Sequence, residues 1–345
     1  MRVLGIETSC DECACAVVED GRRVLSNVVA TQIHFHTPYS GVVPEIASRK
    51  HVEWIQAMAK KALERAGMES GDVDAVAVTG RPGLLGSLIV GLTFAKTFAW
   101  ARGIPLIVVD HMKAHLYASQ LVLGDSGPVE PVSYPFLGLL VSGGHTIICR
   151  ADGFDDITVL GTTIDDAVGE AFDKVAKHYG FGYPGGAVID RMARDGDPKA
   201  FRFPLPSLHK GDHRYDVSYS GLKNAVINQL ERFRVKPAGP NEPADIAAAF
   251  QKTAVRILLR ALFNAAEDSG LSTVVSGGGV AANSLLRKSL AEKPGLRAVF
   301  PPPELCGDNG AMIAGIGYRY LERGDRSPLD ATASARVAGF KKKYP

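Results

Sequence analysis

Two stretches of this 345-residue chain share one pattern, and that repetition constrains the fold more than any other feature. Val73 to Val78 reads as a strand, Thr79-Gly80-Arg81-Pro82-Gly83 as a glycine-bearing loop, and the apolar run from Leu84 as a helix. Far downstream, Thr273 to Val275 leads through Ser276-Gly277-Gly278-Gly279 into a helix from about Ala281. A hairpin precedes each copy. Val3 to Ile6 and Cys13 to Val18 flank the turn Glu7-Thr8-Ser9-Cys10-Asp11-Glu12, while Phe136 to Val141 and Ile147 to Arg150 flank Ser142-Gly143-Gly144-His145-Thr146. A chain that twice runs through hairpin, strand, glycine loop and helix predicts two α/β lobes facing a cleft, with glycine turns from both at its mouth. The Pro/Gly/Ser-rich stretch Gly124 to Pro135 marks the junction. The predicted lobes are 1–130 and 131–308, with a helix at about 309–325 rejoining the first lobe and 326–345 a tail.

Composition narrows the function. A hydrophobic content of 46% with 22% charged residues is that of a globular protein with a large core. The net charge of +2 does not announce nucleic acid, so any basic surface must be local. Five scattered cysteines do not read as a disulfide framework and fit a reducing cytoplasm. Cys10, Cys13 and Cys15 lack a matching second pair and read as small hydrophobes. The first residues reach Glu7 too soon for a signal peptide. Leu84 to Ala101, broken by Lys96 and glycine or serine, predicts a buried helix rather than a membrane span.

Pro44 and Glu45 open a helix to about Ala66, with Glu45, Arg49 and Glu53 on one solvated face, after a loop from His34 to Tyr39. Asp165 to Lys174 reads as an acidic helix. Between Lys199 and Lys223, basic residues (Lys199, Arg202, Lys210, Arg214, Lys223) alternate with Phe201, Phe203, Tyr215 and Tyr219, a pattern able to bind phosphates and stack bases. Asp212 and Asp216 dilute that charge, so an ordinary loop is the preferred reading.

The chemistry-bearing stretch is Asp110-His111-Met112-Lys113-Ala114-His115. Asp110 ends an apolar strand and suits a helix N-cap. If the segment that follows is a helix, His111 and His115 stand four apart and project from one face, a spacing that can grip one metal ion; the other reading is two unrelated histidines near a strand end. Met112 occupies the place where zinc proteases carry their glutamate base, which argues against a protease. The loop at Thr79 to Gly83 lacks a P-loop ending and a dinucleotide fingerprint. Spacing alone does not select a third ligand among the distant acids.

Several segments together make the chain resemble the TsaD family, formerly Gcp, which modifies tRNA and has the KEOPS catalytic subunit as its archaeal and eukaryotic counterpart. They are Gly5 to Glu12, Gly41 to His51, His111 to His115, Leu140 to His145, Ile164 to Lys174, Tyr183 to Gly186, Ser218 to Lys223, Gly277 to Asn283 and Asp308 to Ala314. They occur in the family's order across nearly the whole chain. The resemblance implies two ribonuclease-H-like lobes of the actin, hsp70 and sugar-kinase superfamily around a nucleotide cleft. It implies transfer of the threonylcarbamoyl group of threonylcarbamoyl-AMP to N6 of the adenosine 3′ of the anticodon, in tRNAs reading codons that start with A, with release of AMP. By the same resemblance His111, His115 and Asp308 hold one divalent metal ion, a donor set suited to Fe(II), the family's usual assignment, or to Zn(II).

The nucleotide end is then met by Leu140, Val141, Ser142, Gly143 and Gly144, with Asp173, Gly186, Asp190 and Asn283. Glycine turns bring N–H groups to phosphate, the two aspartates accept ribose or base donors, and Asn283 suits an adenine edge. Asp11 or Glu12, with His145 as the alternative, is the expected acceptor of the amine proton. Relatives work in the cytoplasm, away from any membrane, with a degenerate TsaB-like paralogue and a small TsaE-like ATPase. Two positions depart from the family: Gly307 replaces threonine and Ser40 replaces glycine. The competing readings are an ATP-dependent small-molecule kinase of the same fold and a catalytically silent nucleotide-binding scaffold.

Overall fold

The computed structural model describes residues 1–39, 41–124, 130–208 and 213–336, and the backbone of 341–342. Ser40, Lys210, Asp212 and residues 125–129 of the expected junction lie outside the described residues. The chain divides into two compact units, 1–133 with 301–340, and 134–300 with 341–345.

In the first unit β1 (Arg2–Glu7), β2 (Glu12–Glu19) and β3 (Arg23–Thr31) form an antiparallel meander. A short helix α1 (Ile33–His36) and the long α2 (Pro44–Arg65) follow. Then come β4 (Ala75–Arg81), α3 (Leu85–Arg102), β5 (Leu106–Asp110), α4 (His111–Tyr117) and β6 (Val122–Leu123). The sheet order is β5-β4-β1-β2-β3-β6, with β1, β4 and β5 parallel.

Strand alternation explains why both faces are covered. Leu4, Ile6, Val76 and Val78 point into a core with Ile55, Met58, Leu92 and Ala95 from α2 and α3. Each fully buried aliphatic side chain there contributes roughly 1.5–3 kcal/mol. Cys13 and Cys15 lie in that core as free thiols, small hydrophobes as expected. The opposite positions, Gly5 and Ala77, face a later helix, and glycine is what lets it approach. A Cβ on Gly5 would stand 2.1 Å from the Gly310 carbonyl oxygen, and one on Gly317 would stand 2.4 Å from Ala77 Cβ.

The second unit repeats the plan with β7 (Phe136–Val141), β8 (Thr146–Ala151) and β9 (Ile157–Thr162) as its meander. Helices α5 (Val168–His178), α6 (Gly185–Met192), α7 (Ser220–Asn228) and α8 (Glu242–Ser269) lead to β10 (Thr273–Gly277), α9 (Ser284–Ala291) and β11 (Arg297–Val299). The sheet order is β11-β10-β7-β8-β9-β12, where β12 is Lys341–Lys342. Position for position it matches the first sheet. The chain then returns to the first unit as α10 (Gly310–Glu322).

Several expectations need correction. Residues 301–308 cluster with the first unit rather than the second. Asn309 caps α10 through Met312 N and ties back to the Leu305 and Gly307 carbonyls, so this loop travels with its helix. Residues 326–336 of the expected tail are tied to the first unit, since Val108 N donates to Ser327 Oγ and Ser334 N to the Gly80 carbonyl. The third strand, β3, was not expected because Ser26 and Asn27 interrupt its apolar run. Inside the sheet Ser26 Oγ accepts from Val17 N at 3.2 Å, which makes its burial tolerable.

The acidic helix begins only at Val168. Asp165 instead accepts from Ser218 Oγ and from the Tyr219 and Ser220 amides, and Asp166 pairs with Lys174 and Lys223. The segment from His34 to Tyr39 is helical, not a loop, and the last glycine loop enters its helix at Ser284. Helix α3 buries one face and exposes the other, with Trp100 73% accessible. No helix among the described residues is long and apolar enough to cross a membrane. Phe201, Phe203, Tyr215 and Tyr219 are buried, so the aromatic residues of that stretch are core and present no ring for stacking.

Candidate metal centre and glycine turn

In the first unit the parallel strands β1, β4 and β5 end at one edge, where α/β sheets place their ligands. Asp110 closes β5 and caps α4, accepting from Met112 N at 3.0 Å and Lys113 N at 3.4 Å. That cap starts the helix at His111 and sets His111 and His115 one turn apart, both buried. Their rings meet edge to face with Nε2 atoms 3.1 Å apart. Asp308 Oδ1 lies 3.1 Å from His115 Nε2 and 3.5 Å from His111 Nε2. One ligand atom from each of the three residues falls within 4.8 Å of the others.

Glu7 stands behind this group. Fully buried at the end of β1, it places Oε2 3.0 Å from His111 Nδ1 and accepts from Thr79 Oγ1 and Ser9 N, both at 2.5 Å. Ser9 Oγ is 3.2 Å from the same ring nitrogen. Glu7 accepts from His111 Nδ1–H, so that a cation displacing the Nε2 proton would find the lone pair aimed toward His115 and Asp308, which is how metal-binding histidines are oriented. Burial, the largest influence on His111, disfavours its charge, yet Asp308 and Glu7 outweigh it and raise the ring to about 9. Burial and the neighbouring His111 hold His115 below its usual range, so it stays a neutral donor. Burial would raise Glu7, but the charge and hydrogen bond of His111 hold it low. Two facing nitrogens and a carboxylate backed by a buried acid fit a divalent cation of the zinc or ferrous kind.

Asp11 and Glu12, expected to carry the proton chemistry, lie in this same unit, Asp11 in the turn before β2 and Glu12 as its first residue. Burial, then the charges of Asp308 and Asp11, push the Glu12 carboxyl well above the ordinary carboxylate range. Sequence reasoning passed over Glu7 as a functional residue, although an acid closing a wholly apolar strand is itself a signal.

In the second unit the turn after β7 is tight. Ser142 N donates to the His145 carbonyl at 2.8 Å, and His145 N donates to Ser142 Oγ at 3.1 Å. Gly143 and Gly144 are exposed, with open space where a Cβ would sit. The N-terminus of α5 packs beneath them, since Gly169 N donates to the Ser142 carbonyl. Gly278, at φ +91°, comes up against Val141 from the loop after β10. Asp173 accepts from Gly185 N at 2.7 Å, beside Gly186. Asp190 Oδ1 accepts from Ser284 N and Ser284 Oγ, beside Asn283.

Within the second unit these contacts link the turn to α5, Asp173 to the start of α6, and Asp190 to the residue after Asn283. Asn283 is more occupied than its sequence suggested. Its Oδ1 caps α9 at Leu286 N and its Nδ2 donates to Gln251 Oε1 at 2.9 Å. Of the expected proton acceptors, Asp11 and Glu12 lie in the first unit and His145, in this turn, in the second.

The profile of the family TsaD, tRNA N6-adenosine threonylcarbamoyltransferase, matches residues 23–315. The chain is 62% identical over 343 residues to the tRNA N6-adenosine threonylcarbamoyltransferase of Treponema denticola, covering 99% of each. It is 48% identical over 345 residues to that of Borreliella burgdorferi, covering 100% of this chain and 96% of that one. Among solved structures it resembles component A of the (R)-2-hydroxyglutaryl-CoA dehydratase of Acidaminococcus fermentans, with a TM-score of 0.55, 15% identity, 93% of this chain and 99% of that one. HypF of T. kodakarensis gives a TM-score of 0.58 at 17% identity over 93% of this chain and 48% of that one. These likenesses and the two matching sheets establish the two-lobed α/β fold of the actin class. The chain belongs to the TsaD family of tRNA N6-adenosine threonylcarbamoyltransferases.

Proposed function

We propose that this protein transfers the threonylcarbamoyl group of threonylcarbamoyl-AMP to N6 of the adenosine 3′ of the anticodon, in tRNAs that read codons starting with A. The observation that carries the reading is the His111–His115–Asp308 cluster braced by Glu7, in a chain of this family. The substrate is a mixed anhydride, so AMP is already a good leaving group. The N6 nitrogen attacks the carbamoyl carbon, a C–N bond forms, the bond to the phosphate oxygen breaks, and one amine proton must leave. The protein therefore has mainly to orient a weak nucleophile and stabilise charge on the carbamoyl oxygen.

Each residue has a place in this scheme. Leu140 to Gly144 bring backbone N–H groups to the phosphate, with Gly143 and Gly144 open for close approach. Asp173 and Asp190 accept ribose or base donors, while Gly186 leaves the nucleotide room. Asn283 meets the adenine edge by exchanging its Gln251 contact for the base. His111, His115 and Asp308 would hold a divalent ion, Fe(II) or Zn(II). When bound, that ion supplies Lewis acidity and an anchor for the threonylcarbamoyl end. Glu12, with its raised carboxyl, is the preferred proton acceptor. A cation on Asp308 offsets the second cause of that shift and leaves burial, the largest, in force. Asp11 and His145 are the alternative acceptors. A cytoplasmic setting, a TsaB-like paralogue and a TsaE-like ATPase complete the proposal.

The test supplies threonylcarbamoyl-AMP, unmodified tRNA and the partner proteins, and reads the nucleosides by mass spectrometry. Modified adenosine from the parent and none from His111→Ala is the expected result. An adenylate that binds without turnover, or ATP consumed on a small acceptor, overturns it.

A further inference from the structure

A groove of about 930 Å³ runs along the second unit between α8, α9 and the segment after α6. Its charged lining residues are Arg194, Lys252, Arg256, Arg260 and Lys288, and no carboxylate is among the lining residues. Lys252, Arg256 and Arg260 follow one another at four-residue intervals on α8, so they form a row with steps of about 6 Å. All three are exposed, and none takes part in a salt bridge within 4 Å among the described residues. Across the groove, Lys288 reaches Glu292 only at 3.9 Å with both side chains open to solvent, and Arg194 reaches Asp190 at 3.6 Å. Pairs of that kind are weak and leave the cations available. Five cations along one groove are a strong local concentration in a chain whose net charge is +2.

We infer that this groove docks the phosphate backbone of the tRNA. The inference rests on the transferase reading and adds to it the surface that receives the macromolecule. A small anion calls for donors that converge on one point. Here three cations are strung along about two turns of α8, two more stand across from them, and the groove is left open, which suits a chain of phosphates. Val255, Leu259 and Phe263 supply an apolar floor that offers no competing negative charge. The groove also reaches Ser284, the residue that Asp190 holds, so it borders the surface assigned to the nucleotide.

The test is binding of labelled, unmodified tRNA by fluorescence anisotropy over a salt series, with the partner proteins present. The parent is compared with the double variant Lys252→Glu/Arg256→Glu and with Lys60→Glu/Lys61→Glu, which reverses two exposed charges on α2. The groove variant should lose at least tenfold in affinity and lower the salt slope by about one to two, while binding AMP and melting like the parent. The α2 variant should bind like the parent. Equal tRNA affinity in the parent and the groove variant overturns the inference, as does equal loss in both variants or a loss without change of slope. So does a groove variant that keeps tRNA and loses only a protein partner. If the parent modifies no tRNA at all, it is the transferase reading that falls, and the modification assay separates the two failures.

Discussion

Glu7 Oε2 lies 3.0 Å from His111 Nδ1, so a fully buried acid at the end of the first strand orients the first histidine of the cluster. Glu7→Gln keeps the shape and removes the charge. Loss of such a supporting group typically costs 10–100-fold in metal affinity. Metal content after dialysis against graded chelator should fall accordingly, with the fold retained. Unchanged metal retention would remove Glu7 from the centre.

Asp110 links helix initiation to the site. Asp110→Ala should cost about 1–2 kcal/mol through loss of the α4 cap, while Asp110→Asn, which keeps an acceptor for Met112 N and Lys113 N, should recover most of it. Chemical denaturation measures both. Equal stability of the two variants would show that the cap is not what Asp110 provides.

Asp166 gives a pH dependence away from the metal centre. Burial opposes its ionisation, but hydrogen bonds from Lys174 and Lys223 hold its pKa below the ordinary 3.8. A carboxylate whose folded pKa is depressed stabilises above its unfolded value and loses that contribution as pH falls through the folded one. The melting temperature of the parent should therefore exceed that of Asp166→Asn at neutral pH, with the gap closing below 3.8. A gap independent of pH would contradict the linkage.

Two glycines of the second unit should respond in opposite ways. A Cβ on Gly169 would stand 2.6 Å from the Ser142 carbonyl oxygen, so Gly169→Ala must move backbone and should cost about 1–3 kcal/mol. A Cβ on Gly143 meets open space, so Gly143→Ala should melt like the parent yet bind AMP more weakly, because the methyl blocks approach to the turn. Calorimetry and titration with AMP decide. Undiminished AMP affinity in Gly143→Ala would take the turn out of the nucleotide site.

Glu12→Gln tests the proton acceptor. Replacing a general base typically costs 10²–10⁴-fold, so turnover should fall by about 10²-fold or more with binding of the adenylate unchanged. Activity close to the parent's would shift the role to Asp11 or His145, each testable by the same substitution logic.

The local grammar was legible because it depends on near neighbours. Short apolar runs marked β1, β2, β7 and β8, and the repeated strand, glycine loop and helix gave the α/β class. A cap at Asp110 followed by histidines four apart placed two ligand candidates on one helical face. Other elements were misread where a polar residue has a distant partner. Ser26 is accommodated by a strand neighbour, so no third strand was expected there, and Asp165 caps a helix more than fifty residues away, so it looked helical itself. The aromatic residues between Phe201 and Tyr219 look the same in sequence whether they stack on a base or fill a core, and the structure buries them.

By itself, then, the sequence determined the periodicities, the helix starts and the spacing of His111 and His115, since these follow from geometry within a turn or a strand. The tertiary structure alone decided which acid meets them. Asp308 is 193 residues from His115 and carries the same side chain as every other aspartate in the chain. What sets it apart is that α10 packs on Gly5 and Ala77, and so carries the loop before it to the carboxyl ends of β1, β4 and β5. Glu7 gained its role the same way, because burial beside a histidine, rather than any pattern around it, turns an acid into a brace.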